Sequence, residues 1–173
     1  MRIILMRHGE AEMTSLGGDF ARRLTAKGEA EVRKISGEIA QVVGAGSVAI
    51  MSSSSQRTTM TTEILKSQLP AGVNVTMLRD FYDGTFTDMQ SAILEDGRTF
   101  DVWILVGHNP GWSAAVHFFA GRNLSMQPAD AVVLDHSVYQ GLSEEERIHA
   151  LNDAGGWRVS HHFTATPTSR TNF

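Results

Sequence analysis

Five charged or ionisable side chains each follow a short stretch that has the character of a strand. Arg7 and His8 end the apolar run of "RIILMRHGEAE", and Arg57, Asp80 and His108 follow three later stretches. Two guanidiniums, two imidazoles and a carboxylate suit phosphoryl transfer better than other common chemistry. Arginine forks onto phosphate oxygens without losing its charge, and a neutral histidine can attack phosphorus to form a covalent intermediate.

Strands and helices are predicted to alternate along the chain. We predict strands over residues 2–6, 47–53, 73–78, 102–107, 131–136 and 157–163, the third of them near a sheet edge. Helices are predicted over 25–43, 56–69 and 112–121, with Gly44 ending the first of them. This alternation predicts an α/β fold of three α/β/α layers around a mostly parallel sheet.

The predicted sheet explains why the five side chains could meet. In open α/β sheets, ligands bind beyond the carboxyl ends of the strands, where the strand order reverses. Arg7, His8, Arg57, Asp80 and His108 all follow such ends, so we expect them to line one crevice. The glycine at position 9 is expected to let the backbone approach a phosphate closely.

Composition excludes several other classes of protein. The 173 residues are expected to form a single domain over 1–163, followed by a polar tail over 164–173. A net charge of -4 argues against a binder of nucleic acid or of anionic membranes. No apolar run is long enough for a membrane span or a secretory signal. The absence of cysteine fits a reducing cytoplasm, where we expect the protein to work.

Four motifs occur in a fixed order between residue 2 and about residue 134. They are "LMRHGEAE", "RRLTAKGEAEV" with Leu24, Thr25 and Gly28, "SSSSQRTTMTTEIL" with Ser53, Arg57 and Thr61, and "LVGHNPG" with His108. Together they resemble the histidine phosphatase superfamily, whose fold is that of the phosphoglycerate mutases. The best overall resemblance is to the short SixA-type phosphohistidine phosphatases.

The resemblance implies a role for each matching residue. His8 would be the nucleophile that becomes phosphorylated, while Arg7, Arg57 and His108 would bind the phosphoryl group and stabilise its transition state. Gly9 would help to bind the phosphate, and a phosphate or sulfate ion would fit the same pocket. The family needs neither a metal nor a nucleotide cofactor, so none is expected here.

The proton donor is open between two carboxylates. "LRDFYDG" resembles the loop that carries the family's general acid, with Asp80 at the glutamate position and Asp83 as a competitor. An acid matters more for an alkoxide leaving group than for an imidazole, whose unperturbed pKa is about 6.5. The short chain also leaves little room for a lid between Asp80 and the strand at 102. Both points favour phosphohistidine on a protein, such as a phosphotransfer domain, as the substrate.

Two other functions stay open at this point: a phosphomonoesterase for a small metabolite, and a non-catalytic module that binds phosphate or a phosphoprotein. Arg22 is expected either to support the pocket or to pair with a carboxylate. A metal site at His161 and His162 is disfavoured because neighbouring strand residues face opposite sides of a sheet. Residues 138–155 are expected to be a short helical insertion, since Ser143 and Glu146 resemble a capping box.

Overall fold

The computed structural model describes residues 1–137 and 143–165, and its central element is one six-stranded sheet. The strands are β1 (Arg2–Arg7), β2 (Val48–Ser53), β3 (Asn74–Leu78), β4 (Val102–Gly107), β5 (Ala131–Asp135) and β6 (Arg158–Phe163). Their spatial order is β3-β2-β4-β1-β5-β6. The first four are mutually parallel, and β5 runs antiparallel to both β1 and β6. The mostly parallel sheet and the edge position of β3 are therefore confirmed.

Helices cover both faces of the sheet. They are α1 (Ala26–Val43), α2 (Gln56–Lys66), α3 (Phe86–Asp96), α4 (Gly111–Ala120) and α5 (Glu144–Asn152). Buried residues of α1 and α2 share one hydrophobic core with the sheet, and those of α3, α4 and α5 share the other. The predicted three-layer α/β/α architecture is confirmed.

Strand β1 shows why the sheet must be covered twice. Ile3 and Leu5 point into the core on the side of α4, while Ile4 and Met6 point into the core on the side of α1. All four side chains are fully buried. An apolar run without alternation is typical of such a strand, and it holds the polar residues at its carboxyl end in a fixed place.

Local sequence signals determine the ends of α1 but not the end of α2. The hydroxyl of Thr25 accepts a hydrogen bond from the N–H of Gly28 at 3.0 Å, and α1 ends at Gly44, whose φ is 62°. Both features are standard helix boundaries. The predicted end of α2 at residue 69 is wrong. The helix ends at Lys66, and residues 67–69 continue as turns in which the N–H of Leu69 donates to the carbonyl of Lys66.

Two further helices complete the layer on the α4 side. Helix α3 was not predicted, although a capping box between Thr85 and Asp88 marks its start. Helix α5 lies inside the predicted insertion and begins with the expected capping box between Ser143 and Glu146. Residues 138–142 of that insertion and residues 166–173 of the predicted tail lie outside the described residues.

Candidate active site

The carboxyl ends of the parallel strands surround a polar cavity of about 310 Å³. Arg7 and His8 enter it from the end of β1, and His108 enters from the end of the neighbouring strand β4. Arg57, in the first turn of α2, closes another side. The structure therefore brings together four of the residues that the sequence singled out.

His8 has a defined tautomer. Its Nδ1 lies 2.7 Å from the carbonyl oxygen of Gly9, and a carbonyl can only accept, so the proton is on Nδ1. The Nε2 atom then carries the lone pair, which accepts a hydrogen bond from Nε of Arg57 at 3.3 Å. Burial, helped by the charge of Arg57, lowers the pKa of His8 to about 4. At neutral pH the ring is uncharged, as a nucleophile must be.

His108 faces His8 across the cavity, with 5.0 Å between the two ring centroids. Its Nε2 lies 2.9 Å from the hydroxyl of Ser53. Burial, followed by the charge of His8, lowers the pKa of His108 to about 3. A bound phosphoryl dianion would oppose this shift and favour the protonated ring, because a nearby opposite charge stabilises the charged form. His108 is thus suited to become a charged hydrogen-bond donor when the anion is present.

Arg57 is held by Asp19, a residue that the sequence motifs did not single out. The Arg57 side chain donates to the backbone carbonyl of Asp19 at 2.7 Å and to its carboxylate at 3.0 Å. The same carboxylate accepts from Arg22 at 2.7 Å and from the hydroxyl of Tyr82. Hydrogen bonds from Tyr82, Arg22 and Arg57 hold the pKa of Asp19 well below its usual range. The carboxylate stays ionised and orients both arginines around the cavity.

Arg22 therefore does both things that its sequence position allowed. It pairs with the Asp19 carboxylate, and it also lines the cavity. Tyr82 and Asn109 line the cavity as well and were not predicted. The Tyr82 ring lies under the Arg57 guanidinium, 5.6 Å from its central carbon to the ring centroid. The sequence signal for Asn109 is its position directly after His108.

The two candidate proton donors lie in different places. Asp83 lines the cavity together with the two histidines. Asp80, at the position that matches the family's acid, lines a separate cavity between β3 and α3. The structure therefore does not bring Asp80 together with the other predicted site residues, and the alternative carboxylate takes the place beside them.

Gly9 has a different neighbourhood from the one expected. A Cβ atom at this position would lie 2.6 Å from Cγ2 of Val32 in α1, so the glycine lets the loop pack against the helix. Its N–H donates to the hydroxyl of Thr61 at 3.3 Å. Among the described residues, those lining the cavity do not include Gly9. Its geometry supports the loop that carries His8 through close packing.

The cavity is defined by protein side chains. Within residues 1–137 and 143–165, no group of three or more His, Cys, Asp or Glu residues is placed to hold a metal ion. In the same part of the chain, no helix is both long and apolar enough to cross a bilayer. The two histidines of β6 have different partners: His161 contacts Ser160, whereas His162 contacts Asp130.

A buried, uncharged histidine among three arginines at the carboxyl ends of parallel strands is an arrangement that could hold a phosphate group. Residues 3–112 match the model of the histidine phosphatase superfamily, branch 1. The chain belongs to this superfamily. A search of curated protein sequences finds no match.

Solved structures share the fold. SixA from Agrobacterium tumefaciens, named as a candidate phosphohistidine phosphatase, superposes with a TM-score of 0.74 at 23% identity, covering 94% of this chain and 97% of its own. A protein histidine phosphatase SixA complexed with tungstate gives 0.69 at 20% identity, with 95% and 97% covered. A phosphoserine phosphatase from Entamoeba histolytica gives 0.54 at 10%, with 94% and 96% covered. The likeness extends over nearly the whole length of each chain.

Proposed function

We propose that this protein removes the phosphoryl group from a phosphohistidine on a partner protein, through a phosphohistidine intermediate on His8. The observation that carries the proposal is the unprotonated Nε2 of His8, which lies against Arg57 in a cavity shared with Arg7 and His108. This is the geometry that nucleophilic attack on a bound phosphoryl group requires.

The reaction proceeds in two displacements at phosphorus. In the first, Nε2 of His8 forms a bond to phosphorus while the bond from phosphorus to the substrate nitrogen breaks. The substrate imidazole leaves with that electron pair and is neutral when its other ring nitrogen carries a proton. In the second, a water oxygen attacks phosphorus, the bond to His8 breaks, and the water proton passes to the phosphate or to solvent.

The arginines and His108 act on the charge that spreads over the phosphoryl oxygens. Arg7 and Arg57 are permanently charged and approach the cavity from different strand ends. His108 takes up a proton as the dianion binds and then donates a hydrogen bond to it. Such preorganised donors stabilise the transition state without reorganising during the reaction.

The conformation of residues 79–101 favours a protein substrate. Instead of forming a cap over the cavity, the middle of this segment folds into α3, whose Met89 and Ile93 are fully buried in the core. Asp19, from a short 3₁₀ helix, and Tyr82, from the turn between β3 and α3, line the cavity instead. A phosphohistidine presented on another protein's surface can reach such a cavity.

A phosphomonoesterase acting on a small metabolite is the second candidate, and one observation favours it. Asp83 lies in the cavity with the nucleophile, where a carboxyl group could protonate an alkoxide leaving group. Phosphate esters need this help, because an alcohol is a far weaker acid than imidazole.

The experiment that tests the proposal compares substrates side by side without added metal. Phosphate release is measured from a phosphotransfer domain phosphorylated on its histidine and from a panel of small phosphate esters. His8→Ala serves as the blank, and His161→Ala, at an exposed histidine on β6, is the matched control. We expect release from the phosphoprotein that depends on His8 and is unchanged in the control. Preferential release from one ester would favour the second candidate, and phosphate binding without release from any substrate would indicate a binding module.

A further inference from the structure

Strands β1 and β5 carry matched charges at both of their ends. Strand β1 begins with Arg2 and ends with Arg7, and its antiparallel neighbour β5 ends at Asp135 and is preceded by Asp130. At the end far from the cavity, Arg2 grips Asp135 through Nε to Oδ1 at 2.7 Å and Nη2 to Oδ2 at 3.2 Å. This is an ordinary bidentate ion pair.

The cavity end is built differently. The backbone N–H of Arg7 donates to the carbonyl of Asp130 at 3.0 Å, so the two residues are neighbours. Yet within the described residues their side chains make no ion pair, and both Nε of Arg7 and Oδ1 of Asp130 are buried without a hydrogen-bond partner. The Arg7 guanidinium donates instead to the carbonyl of Met126 at 2.8 Å. Arg7 is thus left available to an anion in the cavity.

The Asp130 carboxylate is held behind Arg7 by other contacts. Its side chain is only 3% exposed, and Oδ2 accepts from the backbone N–H of Gln127 at 2.7 Å. The same oxygen lies 3.3 Å from Nε2 of His162 on β6. Burial lowers the pKa of Arg7, and the charge of Asp130 opposes that shift. The two side chains therefore interact electrostatically without a direct hydrogen bond. His162, at 29% side-chain exposure, connects this buried carboxylate to the surface.

We propose that Asp130 is a buried counter-charge that weakens the binding of inorganic phosphate to the cavity, so that the product of hydrolysis leaves. The proposal rests on the proposed function, because it assumes that the cavity holds phosphate. Three arginines around a dianion would bind it tightly, and a negative charge fixed behind Arg7 and shielded from solvent reduces that attraction. Because Asp130 makes no direct bond to the Arg7 side chain, it does so without occupying the atoms that bind phosphate.

The test measures the calorimetric dissociation constant of inorganic phosphate for the full chain and for Asp130→Asn. The asparagine oxygen can still accept from Gln127, while the charge is gone. We expect phosphate to bind at least fivefold more tightly, since a factor of about five is what Coulomb's law gives for two unit charges about 8 Å apart at an effective dielectric of about 40, and a dianion gains more. A purely structural role would instead weaken binding, because the loop behind Arg7 would loosen. Unchanged or weaker binding would overturn the proposal.

Two further variants make the result specific. Asp135→Asn removes the same charge from the far end of β5, so it controls for net charge and is expected to leave phosphate binding unchanged. His162→Lys places a permanent cation beside Asp130 from the partly exposed position and is expected to tighten phosphate binding in the same direction. If Asp130→Asn does not fold, the phosphate affinity of His162→Lys tests the proposal in its place, and unchanged or weaker binding would overturn it. Phosphate binding needs no turnover, so inactivity of the wild type on phosphoproteins would count against the proposed function alone.

Discussion

The burial of His8 makes the stability of this protein depend on pH in a way that one substitution can isolate. In the unfolded chain a histidine has a pKa of about 6.5, whereas burial lowers the pKa of His8 in the folded state to about 4. Between these values the unfolded state binds the proton and the folded state does not. His8 therefore favours unfolding progressively as the pH falls from 6.5 towards 4, and its effect is absent above that window.

The size of the effect is set by the two pKa values. At pH 7 both states are largely unprotonated and the contribution is close to zero. At pH 5 the unfolded histidine is almost fully protonated and the folded one is not, which costs about 2 kcal/mol of unfolding free energy. His8 is only 8% exposed, so solvent screening reduces this figure little. A loss of this size is a substantial part of the stability of a small protein.

Urea unfolding at pH 7 and pH 5 measures the loss directly. We expect His8→Asn to lose about 2 kcal/mol less than the wild type between the two pH values. His161→Asn, at an exposed histidine, should follow the wild type. If the wild type and His8→Asn lost stability in parallel, His8 would titrate alike in both states, and the assignment of a neutral nucleophile set by burial would be refuted.

Three more predictions concern packing and catalysis. Gly28→Ala should lower the free energy of unfolding in urea by about 3 kcal/mol, because the new Cβ would lie 2.1 Å from the carbonyl oxygen of Glu10. Gly37→Ala in the same helix is the control. Its Cβ would meet only the end of the Gln68 side chain, so the free energy of unfolding should stay the same or rise by about 0.5 kcal/mol. Arg57→Ala should lower kcat about 100-fold in the phosphatase assay. Asp83→Asn should slow ester hydrolysis more than phosphohistidine hydrolysis, while Asp80→Asn, in the other cavity, should change neither; equal losses in both would contradict the leaving-group argument.

The strands and the residues at their carboxyl ends could be predicted because short-range signals determine them. The apolar runs of β1, β2 and β4 are buried on both faces, and the rule for parallel sheets places the residues after these strands at one edge. Arg7, His8 and His108 therefore meet as expected. Helix α3 is absent from the sequence-based prediction, although the capping pair Thr85 and Asp88 marks its start.

Asp19 and Tyr82 could not be found in the same way, because their roles come from contacts between distant parts of the chain. Asp19 lies in a short 3₁₀ helix with no periodic pattern, and it reaches Arg57 38 residues away and Tyr82 63 residues away. The positions of the two acids depend on Phe81, which is buried against Trp112 with ring centroids 5.5 Å apart. Because Phe81 is fixed in the core, Asp80 before it lines one cavity and Asp83 after it lines the other. This arrangement depends on packing between distant parts of the chain.

The central claim is that the phosphoryl group passes through His8, and trapping it there is the most direct test. The protein is mixed with a histidine-phosphorylated phosphotransfer domain, quenched at alkaline pH, and analysed by mass spectrometry of its peptides. We expect an acid-labile phosphoryl group on His8 that is absent from His8→Ala and decays as inorganic phosphate appears. Full phosphate release with no label on His8, or release that persists in His8→Ala, would contradict the mechanism.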